Sequence, residues 1–102
     1  MDRTKQFIGE HGLEIGAPNL DGWCVDDLMK FWNFARSSRK LAAFMFPDNR
    51  KGRVLALCAL AGYAANKATA MSCRASGNIK SALVYEKICD MIYQKLPKWT
   101  RW

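Results

Sequence analysis

Carboxylates nearly vanish after Asp27. Residues 28–102 hold only Asp48, Glu86 and Asp90 against fourteen Lys and Arg, a net +11, whereas residues 1–27 hold six carboxylates against Arg3 and Lys5, a net −4. Such asymmetry bears on partners and solubility rather than on fold. Three prolines and seven glycines are few for an all-β chain with many turns. His11 is the one histidine, and no C-x-x-C occurs among Cys24, Cys58, Cys73 and Cys89. Paired zinc-ligand spacing is therefore missing. G-x-G-x-x-G, Walker, G-x-S-x-G and H-E-x-x-H patterns are absent as well. The longest uncharged run, Val54–Asn66, has thirteen residues, short of the roughly 20 that span a membrane. It reads as a buried core helix. No apolar run follows Met1–Gln6, so no secretory signal is read. The expectation is a chain without cofactor, metal or membrane anchor, located in the cytoplasm, its cysteines reduced and packed as small hydrophobes.

What is present is apolar and aromatic enough to fold. Half of the 102 residues are hydrophobic and 12% are aromatic, which argues against disorder. The length suits one domain, residues 1–102, with residues 1–23 an N-terminal arm packing on the rest.

Helical patterning dominates. Arg3–Glu10 reads as a short helix, followed by a loop in which Gly12, Gly16 and Pro18 punctuate the chain. Leu20 and Trp23 are expected to pin that loop to the core. Three main helices are predicted, over about 24–45, 50–75 and 79–96. In the first, Asp26 and Asp27 sit in the opening turn, where acids favour the helix dipole. Leu28, Phe31, Trp32, Ala35 and Ala42 share a face, and Pro47 ends the pattern. Asp48 or Asn49 is the expected N-cap of the second. Gly77 is its expected C′ residue, and Pro97 closes the third. Short connections favour antiparallel neighbours, so the fold class is an all-α, small helical bundle.

The last hairpin, Gly77-Asn78-Ile79-Lys80-Ser81-Ala82-Leu83-Val84-Tyr85-Glu86-Lys87 with Leu96-Pro97 at its end, resembles the second half of a tetratricopeptide repeat. The likeness covers residues 77–97 alone. It implies a peptide-binding role.

Candidate functional residues are basic and aromatic rather than catalytic. Glu86 and Asp90, four apart, read as a solvated pair, and His11 as a surface histidine, so no catalytic residue is assigned. Arg53, Lys67 and Arg74 fall within about 60° on one helix face. Arg50 and Lys51 extend that face, giving a footprint for a polyanion or an acidic partner. The alternatives are a solubilising face, or neutralisation by the acidic front end. Phe34 and Phe44 point away from the Leu28–Ala42 face and, with Trp102, form a candidate hydrophobic partner or self-association surface, unless the arm covers it through Phe7, Ile8, Leu13 and Ile15. Trp99 is expected to cap the bundle.

Two functions follow as expectations. The first is a small basic protein that acts by binding another protein, as an accessory or inhibitor of nucleic-acid-handling machinery. The second is direct, sequence-nonspecific nucleic-acid binding.

Overall fold

Ser38 divides the helix expected over 24–45. Its backbone is extended, and its Oγ accepts from the Leu41 N–H at 3.1 Å. A serine so placed satisfies an orphan donor and starts a new helix. The structure, a computed structural model, describes residues 3–102. Among these are five α-helices: α1 (Arg3–His11), where a short helix was expected, α2 (Val25–Ala35) and α3 (Arg39–Met45) in place of one main helix, then α4 (Arg53–Ala75) and α5 (Ile79–Lys95). Single 3₁₀ turns occupy Leu20–Gly22 and Lys98–Thr100. No strand occurs among the described residues, so the all-α class holds.

Glycine governs both ends of α4. The helix starts after Gly52, not at residue 50, and Gly52 rather than Asp48 or Asn49 is its N-cap, with φ of 86°. Glycine alone takes that conformation without a side-chain penalty. At the other end Gly77 has φ of 83°. Its N–H reaches the Arg74 carbonyl at 3.1 Å, and the Asn78 N–H reaches the Cys73 carbonyl at 2.8 Å. This pair of bonds is the Schellman closure that a C′ glycine permits. Asn78 then turns the chain into α5, its side chain accepting from the Ser81 N–H at 3.2 Å.

α4 is the central element, with α2 on one flank and α5 on the other. At 100° per residue, Leu57, Leu60, Ala61, Ala64 and Ala68 share an arc of about 100°. They are buried with Leu28, Phe31 and Ala35 of α2. Ala56, Tyr63 and Ala70 lie on the neighbouring arc, which faces α5, where the Cys89 thiol donates to the Tyr63 carbonyl at 3.7 Å. Small residues bring the three helices close. Full burial of Leu28, Phe31, Leu57 and Leu60 contributes about 1.5–3 kcal/mol each. By length and composition alone α4 is long and apolar enough to cross a membrane. In this fold it is the helix that both neighbours pack upon.

The arm packs as expected on Leu20 and Trp23. Leu20 is fully buried, and the Trp23 ring stands edge-on to Phe31 at 5.4 Å. Phe7 stacks on Phe34 at 4.3 Å. Phe7 and Leu13 are buried, whereas Ile15 remains 71% exposed and takes no part in the covering.

Candidate binding site between α4 and α5

α4 and α5 pack along their length and leave a cavity of about 530 Å³ at the end where α4 begins and α5 stops. Gly52 fixes the start of one helix. Pro97, lacking an N–H and restricting Leu96 before it, fixes the end of the other. Leu55, Ala56 and Ala59 line the cavity from α4, and Ile92, Leu96 and Trp99 from the α5 side. The Trp99 ring is held edge-on by Phe46 at 5.2 Å, so one wall is rigid. Leu55, at the rim, is 77% exposed.

The charges around this apolar cavity have one sign. Among the described residues, Lys51 and Lys95 are its only charged lining residues. The first turn of α4 carries no acid. Its opening N–H groups have no partner within the helix, and the dipole places partial positive charge there. Arg50 and Lys51 form no hydrogen bond or ion pair among the described residues. Arg53 reaches only the Pro47 carbonyl, at 3.5 Å. Of the cations expected as a cluster at residues 50–53, Lys51 thus lines the cavity, with Arg50 and Arg53 next to it along the chain.

The rest of the basic strip is engaged internally. Lys67 Nζ lies 3.9 Å from Asp21, the acidic front end reaching the basic body as one expectation had it. Arg74 grips Glu86 with two bonds, one of them Nη2 to Oε1 at 2.7 Å. That pairing, chiefly the hydrogen bond, lowers the pKa of Glu86 and raises that of Arg74.

Of the apolar candidates, Phe34 is half-buried beneath Phe7. Phe44 is 36% exposed on α3. Trp102 packs edge-on against Tyr63 and Tyr93, at 4.9 and 5.0 Å, and donates its indole N–H to Asp21. It is bound inward and is not a free partner surface. Sequence reading missed Leu55, Ile92 and Lys95. The available signal was Val54-Leu55, two large apolar residues at a helix start where only one arc meets the core.

His11 is not a surface histidine. Its side chain is 7% exposed, its ring tilted against Phe7 at 4.3 Å and stacked on Trp23 at 5.5 Å. Nδ1 pairs with the Phe7 carbonyl at 3.1 Å, and Nε2 lies 3.7 Å from Asp27. Cys24 donates to the same carboxylate at 3.2 Å. Asp27 therefore takes the thiol that a Cys–His dyad would require the imidazole to take. The cysteines also depart from expectation. All four are free, but only Cys89 is buried, while Cys24 and Cys58 are exposed. Burial pushes the Cys89 thiol up to about 11. Among the described residues no three His, Cys, Asp or Glu side chains gather as metal ligands.

No family model matches the chain, and no curated protein or solved structure matches it.

Proposed function

We propose that this chain is a non-enzymatic protein-binding module that takes an apolar side chain of an acidic partner segment into the cavity between α4 and α5. One observation carries the reading: an apolar cavity of about 530 Å³ whose charged lining, among the described residues, is lysine only. Apolar contact supplies affinity, while Lys51, Lys95 and the adjacent Arg50 and Arg53 select and steer carboxylates. The helix N-terminus adds to the same preference.

The test compares proteins captured from native lysate by wild type and by a Leu55→Glu variant, with carbodiimide coupling to join Lys51 or Lys95 to partner carboxylates. Leu55 is a rim residue, so the variant should melt like wild type. Loss of specific partners in the variant, with coupled peptides mapping to Lys51 and Lys95, is the expected result. An unchanged bound set would overturn the reading.

Unpaired Arg50 and Lys51 favour a second reading, direct binding of a nucleic-acid backbone. With Lys67 and Arg74 tied to carboxylates, about three cations remain for phosphates. The salt slope on duplex DNA would then be about −3. A shift assay at low salt that shows no complex removes this alternative.

A further inference from the structure

α5 is an edge helix. Its extensive packing is with α4 alone, so much of its circumference is left bare. At 100° per residue, Lys80, Val84, Lys87, Ile88, Met91 and Lys95 fall within an arc of about 100°. Val84 is 58% and Met91 50% exposed. Ile88 is half-buried at the edge nearest α4. Lys80, Lys87 and Lys95 are exposed and form no ion pair among the described residues. The helix's two carboxylates lie outside this arc, and Glu86 is turned to Arg74. The result is a seam about 22 Å long, in which apolar residues alternate with unpaired lysines and no acid intervenes. Its end merges with the cavity at Lys95.

We infer that this seam is a docking surface for an acidic amphipathic helix of another protein. The inference rests on the protein-binding reading above and extends it from an end cavity to a track along α5. Three features select that occupant. The positions 80, 84, 87, 91 and 95 advance by three or four, the spacing at which a partner helix sets its own ridges. The cations lack acids within the described chain, so a partner bearing Glu or Asp beside its apolar stripe supplies what the seam lacks. A second copy of this chain would set lysine against lysine. A bilayer is disfavoured because the seam offers no Trp, Phe or Leu for burial at a lipid interface.

The experiment titrates the full chain with a labelled synthetic peptide of about 18 residues, long enough to cover the seam as a helix. The peptide carries Leu at helical spacing flanked by Glu. A scrambled peptide of equal composition and vesicles containing anionic phosphatidylserine are run beside it. The expected result is binding by fluorescence anisotropy, helix gain by circular dichroism, and weakening as salt rises. Val84→Glu and Met91→Glu should each weaken the complex about tenfold or more. Both residues are exposed, and an unchanged melting curve shows that the variants fold.

The outcomes separate the two readings. If Leu55→Glu abolishes binding while Val84→Glu and Met91→Glu leave it intact, the seam inference fails and the cavity reading stands. If the seam variants weaken binding and Leu55→Glu does not, the seam stands and the cavity reading fails. Equal binding of the scrambled peptide, binding of the vesicles but not the peptide, or no binding at all each overturns the inference.

Discussion

Trp102 donates its indole N–H to Asp21 at 3.2 Å, across 81 positions of sequence. The other oxygen of the same carboxylate accepts the Tyr63 hydroxyl at 2.9 Å and lies 3.9 Å from Lys67. One acidic residue of the arm thus joins α4 to the segment after α5. Tyr63 is 6% exposed, so removing its acceptor leaves a largely buried hydroxyl unpaired. Asp21→Ala is expected to cost about 1–2 kcal/mol, the lower part of the range for such a loss because Asp21 itself is half in water. Asp21→Asn keeps an acceptor and should cost less. Thermal melts of the two variants check this, and equal melting points would refute it.

Phe7 is the residue that seals the arm. It stacks on Phe34 and packs 6.4 Å from Phe31, while remaining 7% exposed. Phe7→Ala should destabilise by about 3 kcal/mol, the low end for deleting a buried phenyl ring, because α1 is peripheral and can settle inward. Uncovered Phe34 should also raise binding of an environment-sensitive dye. A variant with wild-type stability and dye binding would show that α1 contributes no cover.

Ser38→Ala tests the break between α2 and α3. The loss of the Ser38 cap on the Leu41 N–H should cost about 1 kcal/mol. The amide protons of Arg39–Leu41 should then exchange faster, and no other helix should change. Unaltered exchange there would mean that Phe46 and Pro47 downstream, rather than the cap, hold α3 in place.

That break shows where sequence reading reaches its limit. Leu28, Phe31, Ala35 and Ala42 keep helical spacing across it, so the apolar period gives no sign of a turn. Only Ser37-Ser38 marks it, and serine is tolerated inside helices as well as at caps. Gly77 was legible because helix stop and helix restart converge on Gly77-Asn78. The fold class and the central role of the Ala-rich helix followed from period and composition. The cavity did not, because it depends on how far Leu55 stands from Ile92 in space, which periodicity does not encode. The basic strip was legible as a face. Its partial neutralisation by the acidic front end was among the expectations, but which carboxylate would pair with which cation was not legible, since Asp21 meets Lys67 only after the arm folds back.

Arg74 and Glu86 make the best-formed ion pair in the described structure, yet its removal should matter little. Both side chains are substantially exposed, at 47% and 32%. Solvent screens such pairs, and each long side chain loses freedom when fixed. Glu86→Gln should lower the melting temperature less than Asp21→Ala does, despite the two-bond grip. The Schellman turn next to it keeps the hairpin closed without the pair. A larger loss, or a hairpin that frays by hydrogen exchange at Ser76–Ser81, would show that the bridge, not Gly77, fixes the α4–α5 connection.

Alkaline pH should loosen the α4–α5 contact before acid does. The Cys89 thiol, 3% exposed beneath Tyr63, is raised by burial from an ordinary 9.0 to about 11. Tyr63 is raised too, by burial first and then by its bond to Asp21. Both groups are neutral when protonated, and the fold holds their protons more tightly than the unfolded chain does. Their contribution is therefore complete below pH 9 and is lost as pH rises through the folded value. For Cys89 the difference of about two pH units corresponds to about 2–3 kcal/mol over that window. Melting temperature should stay level from neutral pH to about 8.5, then fall toward pH 11. In Cys89→Ala the starting stability drops slightly because a sulfur is lost from the core, but the fall between pH 9 and 11 should be shallower. Parallel curves for wild type and variant would show that Cys89 does not carry the alkaline loss and leave Tyr63 as its source.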